Sequence, residues 1–112
     1  MQEEEHNIQV ACVNWFRYQY PKYIIYATPN GGWRNAIVAA KLKAEGVLAG
    51  VADLTIVALG KVVFVEMKTA KGKQQPSQKV FEAGVKRLGH EYYVCHSFDE
   101  FRECCKAALT AK

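Results

Sequence analysis

The sequence predicts a mixed α/β domain with the element order α-β-α-β-β-α-β-α. Three stretches repeat apolar residues at helical spacing, and a fourth is rich in good helix formers. Four short runs are apolar or rich in β-branched and aromatic residues, and glycine or proline separates many of these elements. At 112 residues, of which 50% are hydrophobic, the chain has the length of one compact domain with a real core. We therefore expect one domain over 1–112, in which any site must be built from these eight elements.

The first half of the chain predicts two helices with a strand between them. A helix is expected from Glu4 to about Tyr20, and the next residue, a proline, ends it. The run "YIIYA" predicts a strand that stops before Pro29 and the turn-forming residues 30–32. The segment "WRNAIVAAKLKAEG" is rich in good helix formers and closes on Gly46, which is typical of a helix terminator. The first helix carries a stripe of apolar residues: Ile8, Cys12, Trp15 and Phe16.

The runs "VADLTIVA" and "VVFVEMK" predict a β-hairpin, because a short glycine-containing turn joins them. If the two-residue turn is Gly60-Lys61, Asp53 lies opposite Lys68; if it is Leu59-Gly60, Asp53 lies opposite Glu66. In both registers these three charged residues share one face, and the other face is apolar. A three-residue loop or a bulge would break this parity, so the inference depends on a tight turn.

The last third of the chain predicts a helix, a strand and a closing helix. Pro76 is a typical first helical residue, and the helix is expected to end before Gly89 with Phe81, Gly84, Val85 and Leu88 on its packed face. The run "EYYVCH" predicts a strand, and Ser97 is an expected N-cap for the fourth helix. That helix carries an apolar stripe: Phe98, Phe101, Cys105, Ala108 and Leu109.

Charge and cysteine content narrow the class of protein. The 15 Lys+Arg against 11 Asp+Glu give a net charge of +4, which permits a polyanionic partner without requiring one. The 4 cysteines form no CxxC pair, so neither a zinc site nor a disulfide framework is indicated. The sequence has no apolar signal segment and no run of the roughly 18 apolar residues that a membrane span needs. We expect an intracellular, cytoplasmic protein, with a phage- or virus-encoded source left open.

The three charged residues of the hairpin allow two interpretations. Asp53 and Glu66 on neighbouring strands repel each other, and burying an unpaired charge costs several kcal/mol by order of magnitude. Lys68 can neutralise one carboxylate, whereas a divalent cation such as magnesium would neutralise both. A hydrated salt bridge at a fraying strand end explains a glutamate and a lysine two residues apart equally well. The residues alone leave both interpretations open.

The order of several motifs resembles one nuclease family. Asp53, a hairpin and then Glu66-Met67-Lys68 resemble the PD-(D/E)xK nuclease signature. The segments "GVLAGVADL", "VEMK", "KGKQQPSQKVF", "EHNIQ" and "PNGGWR" resemble the VRR-NUC (virus-type replication-repair nuclease) group within it. Two positions depart from that pattern. Ala52 replaces the usual proline before the aspartate, and Gln75 stands where a serine often precedes the third helix, so that helix must be capped differently.

The resemblance implies the PD-(D/E)xK (restriction-endonuclease-like) fold and a set of catalytic roles. Asp53 and Glu66 would ligate magnesium or manganese, with the Met67 carbonyl as a third protein ligand. Lys68 would position or polarise the attacking water, and Gln78 would orient Lys68 or the scissile phosphate. These roles agree with the chemistry, because a bound divalent cation stabilises the charge that builds on a phosphodiester and lowers the pKa of its own water.

The resemblance also implies a contribution from Glu5 on the first helix, as a metal ligand directly or through water. The alternative is that Glu5 only complements the helix macrodipole, together with two neighbouring glutamates. Its place on the stripe that begins at Ile8 favours an inward position. Arg34, Lys71 and Lys73 are the expected nucleic-acid contacts, and an ordinary solvated turn is the alternative for the two lysines. His6, His90 and His96 have no metal-ligand spacing.

Taken with the resemblance, the sequence predicts a metal-dependent DNA endonuclease that acts on branched or structured DNA, like a Holliday junction resolvase. Small members of this group resemble those resolvases and commonly act as homodimers, so a homodimer is expected. The fourth helix or the loop around Trp33 would supply the interface. The alternative is a non-catalytic nucleic-acid-binding module with the same fold. A sequence-specific restriction enzyme is less favoured, because little chain is left for reading bases.

Overall fold

The computed structural model describes residues 3–29 and 35–110. The described chain forms four helices and four strands in the predicted order. Their bounds are α1 Glu3–Gln19, β1 Ile24–Ala27, α2 Ala36–Ala44, β2 Leu54–Ala58, β3 Lys61–Met67, α3 Pro76–Arg87, β4 Glu91–Cys95 and α4 Phe98–Leu109. None of the helices in these residues is both long enough and apolar enough to cross a membrane.

The strands form one sheet in the order β1-β2-β3-β4, and β2 and β3 are the predicted hairpin. Ala58 pairs with Lys61, so the turn is Leu59-Gly60 and the alternative turn Gly60-Lys61 is wrong. Gly60 has a φ of 78° whereas the φ of Leu59 is negative, the combination that a type II turn requires. The hairpin is therefore tight, as the parity argument needs.

Strand β4 joins the sheet parallel to β3, and α3 makes the crossover between them. Met67 pairs with Cys95, and the Lys68 backbone N–H donates to the Cys95 carbonyl at 2.9 Å just beyond the strand ends. The carboxyl ends of β3 and β4 thus meet at one edge of the sheet. Asp53, which precedes β2, lies at the same edge because β2 runs antiparallel to β3.

The main core lies between one face of the sheet and the helices α1 and α4. Trp15 of α1 packs edge-on against Phe98 and Phe101 of α4, with ring centroids 6.1 Å away in each case. The apolar stripe of α4 packs into this core, with Phe101, Cys105 and Ala108 buried and its two end residues partly buried, so it is not free to form the dimer interface that the sequence suggested. The buried cluster contains Cys12, Phe16, Ile25, Leu54, Ile56, Val63, Val65, Met67, Cys95, Phe101, Cys105 and Ala108.

Helix α3 covers part of the opposite face. Phe81 lies edge-on to Phe64 of β3 with a centroid distance of 5.1 Å, and 6.2 Å from the ring of Tyr92 on β4. Leu88, expected on the packed face, is 72% exposed because it is the C-cap residue where the helix ends. Gly89 follows with a φ of 90°, as a helix terminator should.

Helix α2 lies apart from the core and buries none of its residues. The predicted start at Trp33 falls outside the described residues, and the described helix begins at Ala36. The Asn35 side chain caps it by accepting the Val38 backbone N–H at 2.8 Å. The helix ends before Gly46, whose φ is 106°. The predicted glycine terminator is confirmed.

Candidate active site

Asp53 and Glu66 face each other at the open end of the hairpin. Leu54 pairs with Val65, so the next pair outward on the two strands is Asp53 with Glu66. The Asp53 Oδ2 atom accepts the Met67 backbone N–H at 2.9 Å, which fixes this carboxylate against β3. The second of the two predicted registers is therefore the one that forms, and it places two carboxylates side by side.

The Glu66 carboxyl group is buried, with only 2% of the residue exposed. Its Oε2 atom accepts the Gln78 Nε2–H at 2.8 Å and lies 3.7 Å from the Lys68 Nζ atom. Its Oε1 atom is buried and has no hydrogen-bond partner. A hydrated salt bridge at a fraying strand end is therefore the wrong interpretation of this glutamate and lysine.

Burial is also the main cause of an unusually high pKa at Glu66. Together with the negative charge of Asp53 and a hydrogen bond to its side chain, burial raises the pKa of the Glu66 carboxyl to about 8, against the opposing effect of the Lys68 ammonium. The ionised form of Glu66 is therefore unfavourable in this structure, and a further positive charge beside its carboxylate would stabilise it.

The first turn of α3 holds Gln78 in place. Gln75 is the N-cap residue and Pro76 follows it, which starts the helix at that point. The Gln78 Oε1 atom accepts the Gln75 backbone N–H at 2.7 Å, so the amide of Gln78 can turn only its nitrogen toward Glu66. This bond also caps the helix by a route that does not need the serine usual in the related motif.

Gly50 brings the segment before Asp53 against the start of α3. Its φ is 88°, and a Cβ atom there would lie 2.2 Å from the Ser77 carbonyl oxygen and 2.9 Å from the Gln78 nitrogen. Only glycine permits this approach. Sequence reasoning missed the role of Gly50; the glycine in "AGVAD" was the available signal, but nothing in the sequence identified its neighbour.

A second glycine, Gly72, packs against the stem of Lys68. A Cβ atom at Gly72 would lie 3.2 Å from the Lys68 Cβ, and the Gly72 backbone N–H donates to the Thr69 carbonyl at 2.9 Å. The loop after β3 therefore folds back over Lys68, whose side chain is only 15% exposed. The ammonium group has little freedom to leave the carboxylates.

These residues fit a divalent cation. Hard cations take carboxylate and carbonyl oxygens, and Asp53, Glu66 and the Met67 carbonyl offer such ligands at one point. The buried Glu66 Oε1 atom supports the fit, because an unpartnered acceptor in a buried site is costly unless a cation or water satisfies it. Within 3–29 and 35–110, no three His, Cys, Asp or Glu side chains form a cluster able to hold a metal. Glu5 does not join Asp53 and Glu66 in one.

Two solved structures are similar to this chain over nearly its whole length. One, described as a "VRR_NUC domain protein", has a TM-score of 0.77 and 21% sequence identity, and the match covers 97% of this chain and 90% of that one. The other, described as a "VRR_NUC domain", has a TM-score of 0.64 and 19% identity, with 94% and 97% covered. This chain has the VRR_NUC fold. No protein-family model matches the sequence, and no curated protein matches it.

In this VRR_NUC fold, Glu5 lies toward the same end of the sheet as the carboxylates. Helix α1 ends at Gln19, shortly before Ile24 pairs with Val57 near the hairpin turn, so its first turn lies toward the opposite end. Glu5 is half-buried there. Its part in metal binding, directly or through water, stays a prediction.

The predicted nucleic-acid contacts are divided between described and undescribed parts of the VRR_NUC fold. Lys71 and Lys73 are exposed on the loop between β3 and α3, directly after Lys68. Arg34 and the Trp33 loop lie outside the described residues. His90 accepts the Val62 backbone N–H at 3.1 Å, and His96 lies 3.1 Å from Glu100, so these two rings have partners of their own.

A cleft of about 710 Å³ opens beside Gln78. One side is the segment from Gly46 to Val51, and the other is the start of α3 with Gln75 and Ser77. The cleft therefore reaches from the surface of the VRR_NUC fold to the residue that contacts Glu66. Sequence reasoning did not predict it, because it forms between a loop and the start of a helix that are distant in the chain.

Proposed function

We propose that this protein is a divalent-metal-dependent DNA endonuclease that hydrolyses phosphodiester bonds. The observation that carries the proposal is the pair of opposed carboxylates, Asp53 and the buried Glu66, with Lys68 and Gln78 against the second of them. A fold alone does not establish an activity, whereas two carboxylates with a lysine at one point are a specific chemical arrangement. The VRR_NUC fold agrees with it.

Asp53, Glu66 and the Met67 carbonyl would hold magnesium or manganese in this proposal. The bound ion supplies a Lewis acid for the phosphate and lowers the pKa of a bound water. The chain itself supplies the geometry: the Met67 N–H fixes Asp53, and Gln78 fixes one oxygen of Glu66. Both carboxylates are therefore oriented before a substrate arrives, which is the preorganisation that catalysis requires.

Lys68 would position the attacking water and stabilise the negative charge that develops on the phosphate. Its ammonium lies 3.7 Å from Glu66 Oε2, and the fold of the loop at Gly72 restricts its stem. Beside the Glu66 carboxylate, the Lys68 ammonium would act as a positive charge and hydrogen-bond donor. Gln78 would keep the Glu66 carboxyl oriented toward Lys68.

DNA with a branch or another structural feature is the proposed substrate, as the resemblance implies. Lys71 and Lys73 on the loop beside the site would contact phosphates, as would Arg34. A homodimer would present two such sites to two strands. The loop around Trp33 is then the proposed interface, because the apolar stripe of α4 is buried within the chain.

The second candidate is a non-catalytic nucleic-acid-binding module. The net charge of +4 and the exposed lysines favour binding to a polyanion on their own. Binding, however, gives no reason to bury a glutamate beside an aspartate. We therefore prefer the enzyme.

The test is cleavage of a panel of four-way junctions, flaps, nicked and plain duplexes, with magnesium or manganese. We expect wild type to cut at least one of them, and Asp53→Asn and Lys68→Ala to lose at least a hundred-fold in rate. Lys61→Ala is the matched control, since Lys61 lies at the other end of the same strand and pairs with Glu91. Equal rates for all four proteins would exclude this site. DNA binding without cleavage by wild type would favour the second candidate.

A further inference from the structure

The hydroxyl group of Tyr92 lies beneath α3 without a hydrogen-bond partner. Tyr92 is only 4% exposed, so bulk water does not satisfy the group. The neighbouring side-chain amide of Gln74 donates to Glu82 Oε1 at 2.9 Å. Toward Tyr92 this amide is only a donor, so it does not accept the phenolic hydrogen. The phenolic hydrogen therefore has no acceptor among the described side chains, which is unusual for a buried hydroxyl.

The register of β3 and β4 places this hydroxyl next to the carboxylate site. Tyr92 pairs with Phe64, and Glu66 is two residues further along β3 on the same face, so Tyr92 and Glu66 are diagonal neighbours. A tyrosine is long enough to span that diagonal. Burial is the main cause that raises the pKa of the Tyr92 hydroxyl to about 12, and a hydrogen bond from Gln74 opposes the shift. Glu66 is the carboxylate with the largest effect on this pKa, ahead of Glu82 and Asp53, which agrees with its place on the diagonal.

Glu66 has a buried acceptor that lacks a hydrogen-bond donor. Its Oε2 atom has Gln78 and Lys68, whereas its Oε1 atom is buried with no partner. An unsatisfied donor and an unsatisfied acceptor thus lie on the same face of two neighbouring strands. The two atoms do not bond directly, and one water between them would satisfy both, as buried waters commonly do.

We infer that Tyr92 is a positioning residue for Glu66, and that its hydroxyl holds the Oε1 atom through one buried water. Gln78 then fixes one carboxylate oxygen and Tyr92 the other, which sets the rotation of the group. A carboxylate oxygen has two lone pairs, so accepting this water leaves Oε1 able to bind a cation. The consequence for metal binding rests on the proposed function, but the water bridge itself does not.

The test of the consequence is the affinity of the protein for Mn²⁺, measured by calorimetry without DNA. Partners of metal ligands typically contribute 10- to 100-fold to metal affinity, so we expect Tyr92→Phe to weaken binding within that range. It should lower kcat while leaving KM for DNA unchanged. Tyr93→Phe is the matched control, because the adjacent Tyr93 hydroxyl donates to Glu91 on the other face of the sheet. Wild-type Mn²⁺ affinity in a folded Tyr92→Phe protein would overturn the consequence.

A crystal structure of the metal-free protein at high resolution tests the bridge independently. We expect a water within hydrogen-bond distance of both Tyr92 Oη and Glu66 Oε1, and its loss in Tyr92→Phe. Absence of that water in wild type would overturn the inference even if the protein proves to be a nuclease. Its presence in a protein that neither binds Mn²⁺ nor cleaves DNA would instead contradict the proposed function alone.

Discussion

Glu66 is satisfied on one side and unsatisfied on the other, and this asymmetry has measurable effects at the scale of a single residue. Gln78 and Lys68 serve one oxygen, while the other is buried without a partner in the described chain. In the metal-free protein the ionised form is therefore unfavourable, and the folded state retains a proton that an exposed glutamate would release. Metal-free stability should depend on pH for this reason.

We expect the free energy of unfolding of the metal-free protein to fall between pH 4.5 and about 8. The Glu66 pKa is raised from 4.5 to about 8, so in this window the folded state binds a proton that the unfolded state has lost. Stability is then full below the lower value and declines as pH rises through the upper one. Thermal unfolding in EDTA measures the trend, and Glu66→Gln should remove this component. An unchanged pH profile in Glu66→Gln would contradict the shift.

Gln78 has two roles that the substitution Gln78→Ala tests together: it caps α3 and it holds the Glu66 carboxyl. In Gln78→Ala the Gln75 N–H loses its acceptor and Glu66 loses its amide donor. We expect a loss of about 1 kcal/mol in unfolding free energy, the usual cost of a helix cap. Cleavage should slow about ten- to a hundred-fold, as for other residues that orient metal ligands. Urea denaturation and single-turnover cleavage measure the two effects, and Lys79→Ala, exposed on the same turn, should change neither.

At the scale of elements, the segment before β2 contacts the start of α3 so closely that position 50 accepts only glycine. Gly50→Ala should cost clearly more stability than Gly89→Ala, although the two residues have nearly the same φ, 88° and 90°. Both substitutions incur the left-handed penalty of about 1–2 kcal/mol. Only the one at Gly50 also places a Cβ 2.2 Å from the Ser77 carbonyl, whereas Gly89 has nothing within 4 Å. Urea denaturation of both variants measures the difference, and equal losses would show that the contact is loose.

The elements themselves were predictable from the sequence, and some of their contacts were not. The parity of Asp53 and Glu66 followed from the turn alone, because a hairpin is a local structure. A whole helix, α3, separates β3 from β4 in the sequence. No local sequence pattern therefore predicted that Glu66 and Tyr92 would be neighbours. The α4 stripe indicated that this face is buried but not that α1 covers it. Leu88 was predicted on the packed face of α3 from its helical spacing, but the helix ends before it and the residue is exposed.

At the scale of the whole molecule, only some of the positive charges lie beside the site formed by Asp53 and Glu66. Lys71 and Lys73 are exposed on the loop after β3, while other exposed cations such as Lys106 lie on other elements, in this case α4. Under the proposed function, the first two would contact phosphate and the last would not. This distinction appears in the salt dependence of binding rather than in affinity at one salt concentration.

We expect Lys71→Ala/Lys73→Ala to reduce the slope of log K against log salt concentration by about 1 to 2, since each lost phosphate contact removes roughly 0.9. Fluorescence anisotropy with labelled junction DNA and the Asp53→Asn protein measures the slope without cleavage. Lys106→Ala should leave it unchanged. An identical slope in the double variant would place the phosphate contacts elsewhere.

The Leu59-Gly60 turn has a consequence for how this chain tolerates insertions and deletions. Surface turns normally accept added residues, and this one is exposed and about 17 Å from the carboxylates at the usual rise of a strand. Yet Asp53 and Glu66 are equally distant from the turn in residues, and they meet only because that count is balanced. One residue added on either side would pair Asp53 with an apolar neighbour of Glu66. The length of this remote turn is therefore as restricted as the identity of the acidic residues.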